Sequence, residues 1–339
     1  MVLWRLAIVY WQGLLYNNTT CVMSGRCGQL DIFLFILGEN IAPLFLILLL
    51  GFLLAKVFPL HVPSFSKTLL YLFMPSVVFV KVYEMEFRPE YGLVIVFGFT
   101  MVACMFGLGW LVAKLGRKQR SMAAATQNAL MFYNSGNFGL PLVTLVFQNT
   151  PWAAYAITLQ IMIMMIQNIT TNTIGVINAR SASKVNLKEI LSRTPALYTL
   201  TAALLLRLVP FDIRTTFVWT SFSYISNGMV PFALLIVGAQ LAQTKVQLGN
   251  AWVYFVATLR LLGGPAVALL LTFMFRFPPE ICRVLLISSS VPTAVNTALV
   301  AVECNNEPDF STQEVVTCTL MSAFTLTGVI YLSRILWPI

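Results

Sequence analysis

Residues 121–147 read SMAAATQNALMFYNSGNFGLPLVTLVF, a stretch with no charged side chain that carries two glycines and a proline near its centre. The absence of Asp, Glu, Lys, Arg and His continues to residue 179. That run is more than twice the ~20 residues that a helix needs to cross the hydrocarbon core of a bilayer. It therefore predicts two membrane-spanning helices, joined by a short turn at residues 148–152.

The whole chain has the composition of a membrane protein. Of its 339 residues 58% are hydrophobic and 10% are charged, and the mean hydropathy is +0.83. A water-soluble domain buries too little of its surface to hide so many apolar side chains. Backbone groups in lipid must bond within their own segment, so long uncharged runs such as 91–113 and 215–244 predict helices. A barrel strand would alternate apolar and polar residues, and these runs do not. The predicted fold class is all-α integral membrane.

Uncharged runs predict ten spans, and a basic interruption at residues 179–194 divides them into two groups of five. The predicted spans are 41–58, 65–83, 91–113, 121–147, 153–178, 195–209, 217–242, 251–275, 281–302 and 313–337. Residues 38–178 and 195–339 then form two five-helix repeats joined by a cytoplasmic linker. Residues 1–37 are a segment of uncertain status: a degenerate signal segment, an interfacial helix or an over-extended start.

The two halves have prolines at similar spacing, which favours an internal duplication. The pairs, separated by about 150 residues, are Pro43 with Pro195, Pro75 with Pro231 and Pro141 with Pro292. Because each half has an odd number of spans, the second half enters the membrane upside down relative to the first. Such inverted repeats are typical of secondary transporters.

The formal net charge of +9 would suggest nucleic acid as the partner of a soluble protein. Here the basic residues lie in the predicted loops, where they control topology, so no nucleic-acid partner is expected and the partner surface is the lipid bilayer. The excess of Lys and Arg favours a cytoplasmic linker and places both termini on the non-cytoplasmic side.

Two spans are interrupted at corresponding places. In a helix interior Gly costs about 1 kcal/mol and Pro about 3 kcal/mol relative to Ala, so unwinding is expected near Gly136 to Pro141. Residues 288–297, with Ser288, Pro292 and Asn296, interrupt the ninth span. A kink that only serves packing is the alternative for either motif alone. Together they predict crossed half-helices whose N-termini carry partial positive charge and favour an anion.

The motifs NSGNFGLP at 134–141, VPTAVN at 291–296 and VGAQL at 237–241 resemble those of the auxin efflux carrier family. The resemblance implies a ten-helix inverted-repeat fold related to bile acid:sodium symporters. Spans one, two, six and seven would form a scaffold and a possible homodimer contact, and the other six a moving transport domain. The implied substrate-binding residues are Asn134, Ser135, Gly136, Asn137, Gly139, Pro141, Pro292, Thr293 and Asn296.

The resemblance also implies a substrate class, namely organic acids such as auxin or the dicarboxylates malate and malonate. The chain lacks the long hydrophilic central loop of the large plant carriers, which favours a bacterial-type member in the inner (plasma) membrane. Gln240 and Glu303 are candidates for coupling to H+ or Na+, although a packing hydrogen bond and a solvated carboxylate are the simpler interpretations. Arg260 is expected to reach the inner membrane surface, with a substrate counter-charge as the alternative.

No catalytic motif or metal-ligand spacing is present in the sequence, so neither catalytic residues nor metal nor cofactor are predicted. The leading functional hypothesis is a secondary transporter that moves small organic anions by alternating access. An anion channel and a membrane sensor that binds an organic acid without moving it are the alternatives.

Overall fold

The computed structural model describes residues 29–180, 194–244 and 249–338. Within these ranges the regular secondary structure is helical, apart from one isolated β-bridge. The N-terminal segment as far as residue 28 and the linker residues 181–193 lie outside the described residues, so the predictions for them remain predictions.

Seven of the described helices are long and apolar enough to cross a membrane. They are α1 (Leu30–Val57), α2 (Val62–Glu84), α3 (Glu90–Leu115), α5 (Ala153–Arg180), α7 (Phe217–Gln243), α8 (Ala251–Phe275) and α10 (Pro308–Leu336). The protein is therefore an all-α, multi-pass membrane protein, as the composition predicts.

Shorter helices account for the other predicted spans. They are α4a (Arg120–Met131), α4b (Ser135–Phe147), α6 (Pro195–Leu206), α9a (Pro279–Ser289) and α9b (Val295–Glu303). Each of the ten predicted spans thus overlaps a helix or a pair of half-helices. The pair α4a and α4b with the residues between them is called α4, and the pair α9a and α9b with the residues between them is called α9. The number of membrane crossings and the inverted relation of the halves remain predictions.

Two expectations about helix boundaries were wrong. Helix α1 begins at Leu30 rather than at residue 41, because Asp31 and Glu39 are accommodated inside the helix instead of ending it.

Unwinding in the fourth span occurs at residues 132–134, before the glycines. Gly136 and Gly139 lie in one wide π-type turn, Ser135–Gly139, and Pro141 lies in the first turn of the regular helix that follows, where a missing N–H is tolerated.

The helices pack mainly within two groups. Helix α1 lies along α7, and α2 packs against α6 and α7. In the second group α3 contacts α4a and α5, α8 contacts α9a and α10, and α5 contacts α4b and α9a. This second group holds both interrupted helices.

Two glycines allow α1 and α7 to approach each other backbone to backbone. A Cβ added to Gly238 would collide with the carbonyl of Leu48, and one added to Gly51 would collide with that of Leu235. Lipid chains are as apolar as the helices, so close contact between small residues is a main source of helix association in membranes. These two positions set the distance between the two helices.

We expect Gly238→Ala to lower the free energy of unfolding by about 2 kcal/mol, since the backbones must separate to admit the methyl group. Gly328→Ala in α10 is the matched control because a Cβ there meets nothing within 4 Å. Thermal unfolding of the detergent-solubilised protein measures both. Equal melting temperatures for the two variants would contradict the close approach of α1 and α7.

Candidate functional site

The two interruptions cross, and their extended residues pair with each other. Tyr133 and Thr293 form an antiparallel bridge. The Asn134 N–H donates to the carbonyl of Pro292 at 2.8 Å, and the Ala294 N–H donates to that of Phe132 at 3.0 Å. Backbone groups freed by the breaks therefore find partners without water, which is the condition for a non-helical segment at membrane depth.

Side chains from α5 complete the first interruption. The Gln167 amide oxygen accepts from the Tyr133 N–H at 3.2 Å, and the Gln160 amide donates to the carbonyl of Ser135 at 2.6 Å. Asn134 caps α4b, because its side-chain oxygen accepts from the Asn137 N–H at 3.2 Å. The crossing is thus fixed to a continuous neighbouring helix.

Arg260 does not reach the membrane surface, so that expectation was wrong. Its side chain is fully buried in the protein and donates to the carbonyls of Ser289 at 2.7 Å and Val291 at 3.2 Å. Its guanidinium lies 4.6 Å from the centre of the Tyr133 ring. Gly264, one turn further along α8, leaves the space, since a Cβ there would lie 2.5 Å from Nη1 of Arg260. The terminal carbonyls of α9a attract this cation more strongly than the distant surface does.

A cavity of about 900 Å³ lies between the two helix groups and reaches the crossing. It opens where α2 and α10 begin and where α7 and α9b end. Among the predicted site residues, it is lined by Asn137, Asn296, Gln240 and Glu303. Asn137 and Asn296 occupy the first turns of α4b and α9b, and their partly exposed side-chain amides bond to no other described residue. These two amides form the floor of the cavity.

The other predicted substrate-binding residues lie within the crossing and do not line the cavity. They are Asn134, Ser135, Gly136, Gly139, Pro141, Pro292 and Thr293. Gly136 and Gly139 make room for neighbours, because an added Cβ would lie 2.5 Å from Met74 Cε and 2.6 Å from Gln160 Nε2 respectively. The structure thus separates the two residues that form the cavity floor from seven that build the crossing behind it.

Charged groups line the cavity farther from the floor. Lys67 lies in the first turns of α2, Asp309 at the start of α10 and Glu303 at the end of α9b. Glu303 is seven residues from Asn296, a rise of about 10 Å along the helix. Gln240 donates to the hydroxyl of Ser66 at 3.1 Å, so one of its polar groups serves contact between α7 and α2.

Sequence reasoning missed several polar residues of this region. Asn168, Asn172 and Gln313 also line the cavity, and Glu314 is fully buried beside the crossing. The predicted tenth span began at residue 313, whereas the helix begins at Pro308, so Glu314 lies inside the helix, six residues after its start. The available signal was a carboxylate followed by an uncharged run as far as Ser333.

A helical membrane bundle with two interrupted helices crossing at the floor of a solute-sized cavity has the form of a transporter. The family model described as "Membrane transport protein" matches residues 36–192 and again residues 178–330. The chain belongs to this membrane transport family, which confirms the resemblance to auxin efflux carriers. It is a transporter by family, and its substrate and mechanism are treated below.

One curated relative is an uncharacterized transporter of Methanocaldococcus jannaschii. The chain is 22% identical to it over 262 residues, which cover 74% of this chain and 84% of the relative. The similarity therefore extends over most of both proteins.

We expect Arg260→Lys to lower the free energy of unfolding by about 2 kcal/mol, because an ammonium group replaces the planar guanidinium that serves two carbonyls and the Tyr133 ring. Arg276→Lys is the control, since Arg276 is exposed at the end of the same helix. Chemical or thermal unfolding in detergent measures the difference. If the Arg260 side chain only reached the membrane surface, Arg260→Lys and Arg276→Lys would have the same stability.

Proposed function

We propose that the protein is a secondary carrier of small organic anions that works by alternating access, with the cavity floor as its substrate site. The observation that carries the proposal is the meeting of Asn137 and Asn296 at the first turns of two half-helices. Each amide offers N–H donors to a carboxylate, and the positive ends of two helix dipoles favour negative charge at the same place. A cavity of about 900 Å³ is large enough for a dicarboxylate or an indole acid.

At the end of the bundle opposite the cavity mouth, the two helix groups are in contact. Asn40 of α1 donates its side-chain amide to the carbonyl of Leu145 in α4b at 3.4 Å. A cavity that opens at one end, with the two groups in contact beyond its floor, supports a carrier in one of its two end states rather than an open channel.

The charge pattern supports a cytoplasmic mouth. The loop with Lys114, Arg117 and Lys118 lies at the end where the cavity opens, since Ser121 after it donates to the carboxylate of Glu307 before α10 at 2.6 Å. Because cytoplasmic loops carry an excess of basic residues, this end of the bundle is assigned to the cytoplasm. The conformation is then inward-facing and the termini lie outside. The proposed location is a bacterial inner membrane.

Further parts of the proposal rest on family resemblance. The substrates would be carboxylates such as malate, malonate or auxin, and α1, α2, α6 and α7 would form the scaffold and a homodimer contact. Gln240 and Glu303 remain candidates for ion coupling.

Labelled malate, malonate and indole-3-acetate in proteoliposomes test the site. We expect saturable counterflow of at least one acid by the unaltered protein. Asn137→Ala and Asn296→Ala each remove a hydrogen bond to a charged group, which weakens apparent affinity about tenfold or more.

Asn149→Ala is the matched control, because Asn149 is exposed in the turn between α4b and α5. Its counterflow should equal that of the unaltered protein. Counterflow that persists unchanged in both floor variants would refute the assignment of the substrate site. Acid flux without counterflow would identify a channel, and binding without flux a sensor.

A further inference from the structure

A buried polar cluster surrounds the crossing without lining the cavity. Its members are Tyr133, Arg260, Thr293 and Glu314, which come from α4, α8, α9 and α10 and are at most 1% exposed. Ionisable side chains are costly inside a membrane protein and usually serve function there. The substrate site proposed above uses none of the four.

Thr293 lies between two acceptors that it cannot serve at the same time. Its hydroxyl oxygen is 2.8 Å from Oε1 of Glu314 and 3.0 Å from the carbonyl oxygen of Ala129. A hydroxyl has one proton to donate and lone pairs to accept. Whether Glu314 is ionised therefore decides which of the two oxygens receives the proton of Thr293.

The carbonyl of Ala129 depends on Thr293, because helix α4a ends before the residue whose N–H would normally donate to this carbonyl. In a continuous helix it would accept from the N–H of Tyr133, but that N–H donates to the amide oxygen of Gln167 at 3.2 Å. An unpaired carbonyl at this depth is unfavourable, so the Thr293 hydroxyl is its natural donor. This bond requires Glu314 to be a donor itself, which means a neutral carboxylic acid.

The cluster contains one fixed positive charge. This charge is Arg260 of α8, which lies over the ring of Tyr133. Arg260 and Cys318 of α10 are the ionisable groups that act on the Glu314 carboxyl group, and Thr293 is its polar neighbour from the interruption of α9. Nε and Nη1 of Arg260 and Oε2 of Glu314 have no hydrogen-bond partner among the described residues. The cluster is therefore neutral when Glu314 is ionised and carries one positive charge when Glu314 is protonated.

We propose that Glu314 is the proton-binding residue of the transport cycle, and that Thr293 links its protonation to the two interrupted helices. When Glu314 is ionised, the Thr293 hydroxyl donates to it and joins α9 to α10. When a proton from the cavity neutralises the carboxylate, the acid donates to Thr293 Oγ1, and the Thr293 proton turns to the carbonyl of Ala129. The interruption of α9 is then joined to α4a.

Polar residues of α10 that line the cavity come directly before Glu314 in the sequence, and they are the proposed route for the proton. Asp309, Thr312 and Gln313 line the cavity, and Glu314 is the next residue along the same helix. Asp309 is five residues before Glu314, a rise of about 7.5 Å. Oε1 of Gln313 is also without a partner among the described residues, so the cavity-lining neighbour of Glu314 has an acceptor available.

This inference rests on the proposed carrier function and makes it specific. A protonated cluster carries positive charge next to the floor where the anion binds, so proton and anion favour each other's binding. The expected mode is symport of an organic anion with H+. Apparent affinity for the anion should rise as the pH falls through the range in which Glu314 takes up its proton.

Glu314→Gln is the decisive variant, since the amide has nearly the same shape and can donate to Thr293 like the neutral acid. In proteoliposomes we expect it to retain counterflow, which needs no net proton movement. Accumulation driven by a pH gradient should fall to the equilibrium level, and the dependence of substrate affinity on pH that the unaltered protein shows should be lost. The control is Glu86→Gln, the same change at an exposed loop position, which should behave like the unaltered protein.

Gradient-driven accumulation by Glu314→Gln at the level of the control would overturn the proposal. Thr293→Val distinguishes the binding of the proton to Glu314 from the coupling of that proton to transport. It removes the link but keeps the carboxyl group, so accumulation should fail while the proton is still bound. Full accumulation by Thr293→Val would refute the linking role of that hydroxyl.

Infrared difference spectroscopy between acid and alkaline pH detects the proton independently of transport. The unaltered protein and Thr293→Val should show the carbonyl band of a protonated carboxylic acid that changes with pH, and Glu314→Gln should lack it. If the unaltered protein gives no counterflow with any acid, the proposed carrier function fails, while the spectra still decide the proton site. Spectra that are identical with and without Glu314 would overturn the assignment whatever the transport assays give.

Discussion

The structure depends on one constraint, that no backbone N–H or C=O can be left without a partner inside a membrane. Both interrupted helices break this rule locally, and they satisfy it by crossing. Bonds from Asn134 to Pro292 and from Ala294 to Phe132 replace two lost helical turns with a short antiparallel pair. Neither interruption can be satisfied in this way alone, so the two halves of the chain need each other at this point.

Most polar residues near the crossing follow from that constraint. Gln160 and Gln167 serve the first interruption, and Arg260 serves the second by binding the carbonyls at the end of α9a. A guanidinium fits this position because it is planar, permanently charged and able to serve two acceptors while it lies against an aromatic ring. These residues hold the crossing rigid, which leaves Asn137 and Asn296 free to face the cavity.

The contacts within one helix group differ from the contacts between the two groups. Helices α1 and α7 approach through Gly51 and Gly238, whereas the group with the crossing meets them across a polar cavity. A close glycine contact resists sliding, while a boundary that contains a polar cavity resists it less. The proposed movement of one group against the other therefore has a structural basis at that boundary. The buried Thr293 and Glu314 lie within the group that holds the crossing, where a change of charge can reach both interrupted helices.

The sequence by itself determined the membrane class, the helical fold and which two spans are interrupted, although the first break lies a few residues before the glycines that predicted it. Uncharged runs longer than a bilayer is thick leave the backbone few choices, and glycine and proline in such runs are costly enough to mark a break. It also predicted Asn137 and Asn296, which the fold brings to one cavity. Only the tertiary structure decided the environment of Arg260 and Glu314, because burial depends on neighbours that are distant in the chain. Span counting treats a charge near a helix end as solvated, and it has no information on the carbonyls and hydroxyls that other helices bring to that charge.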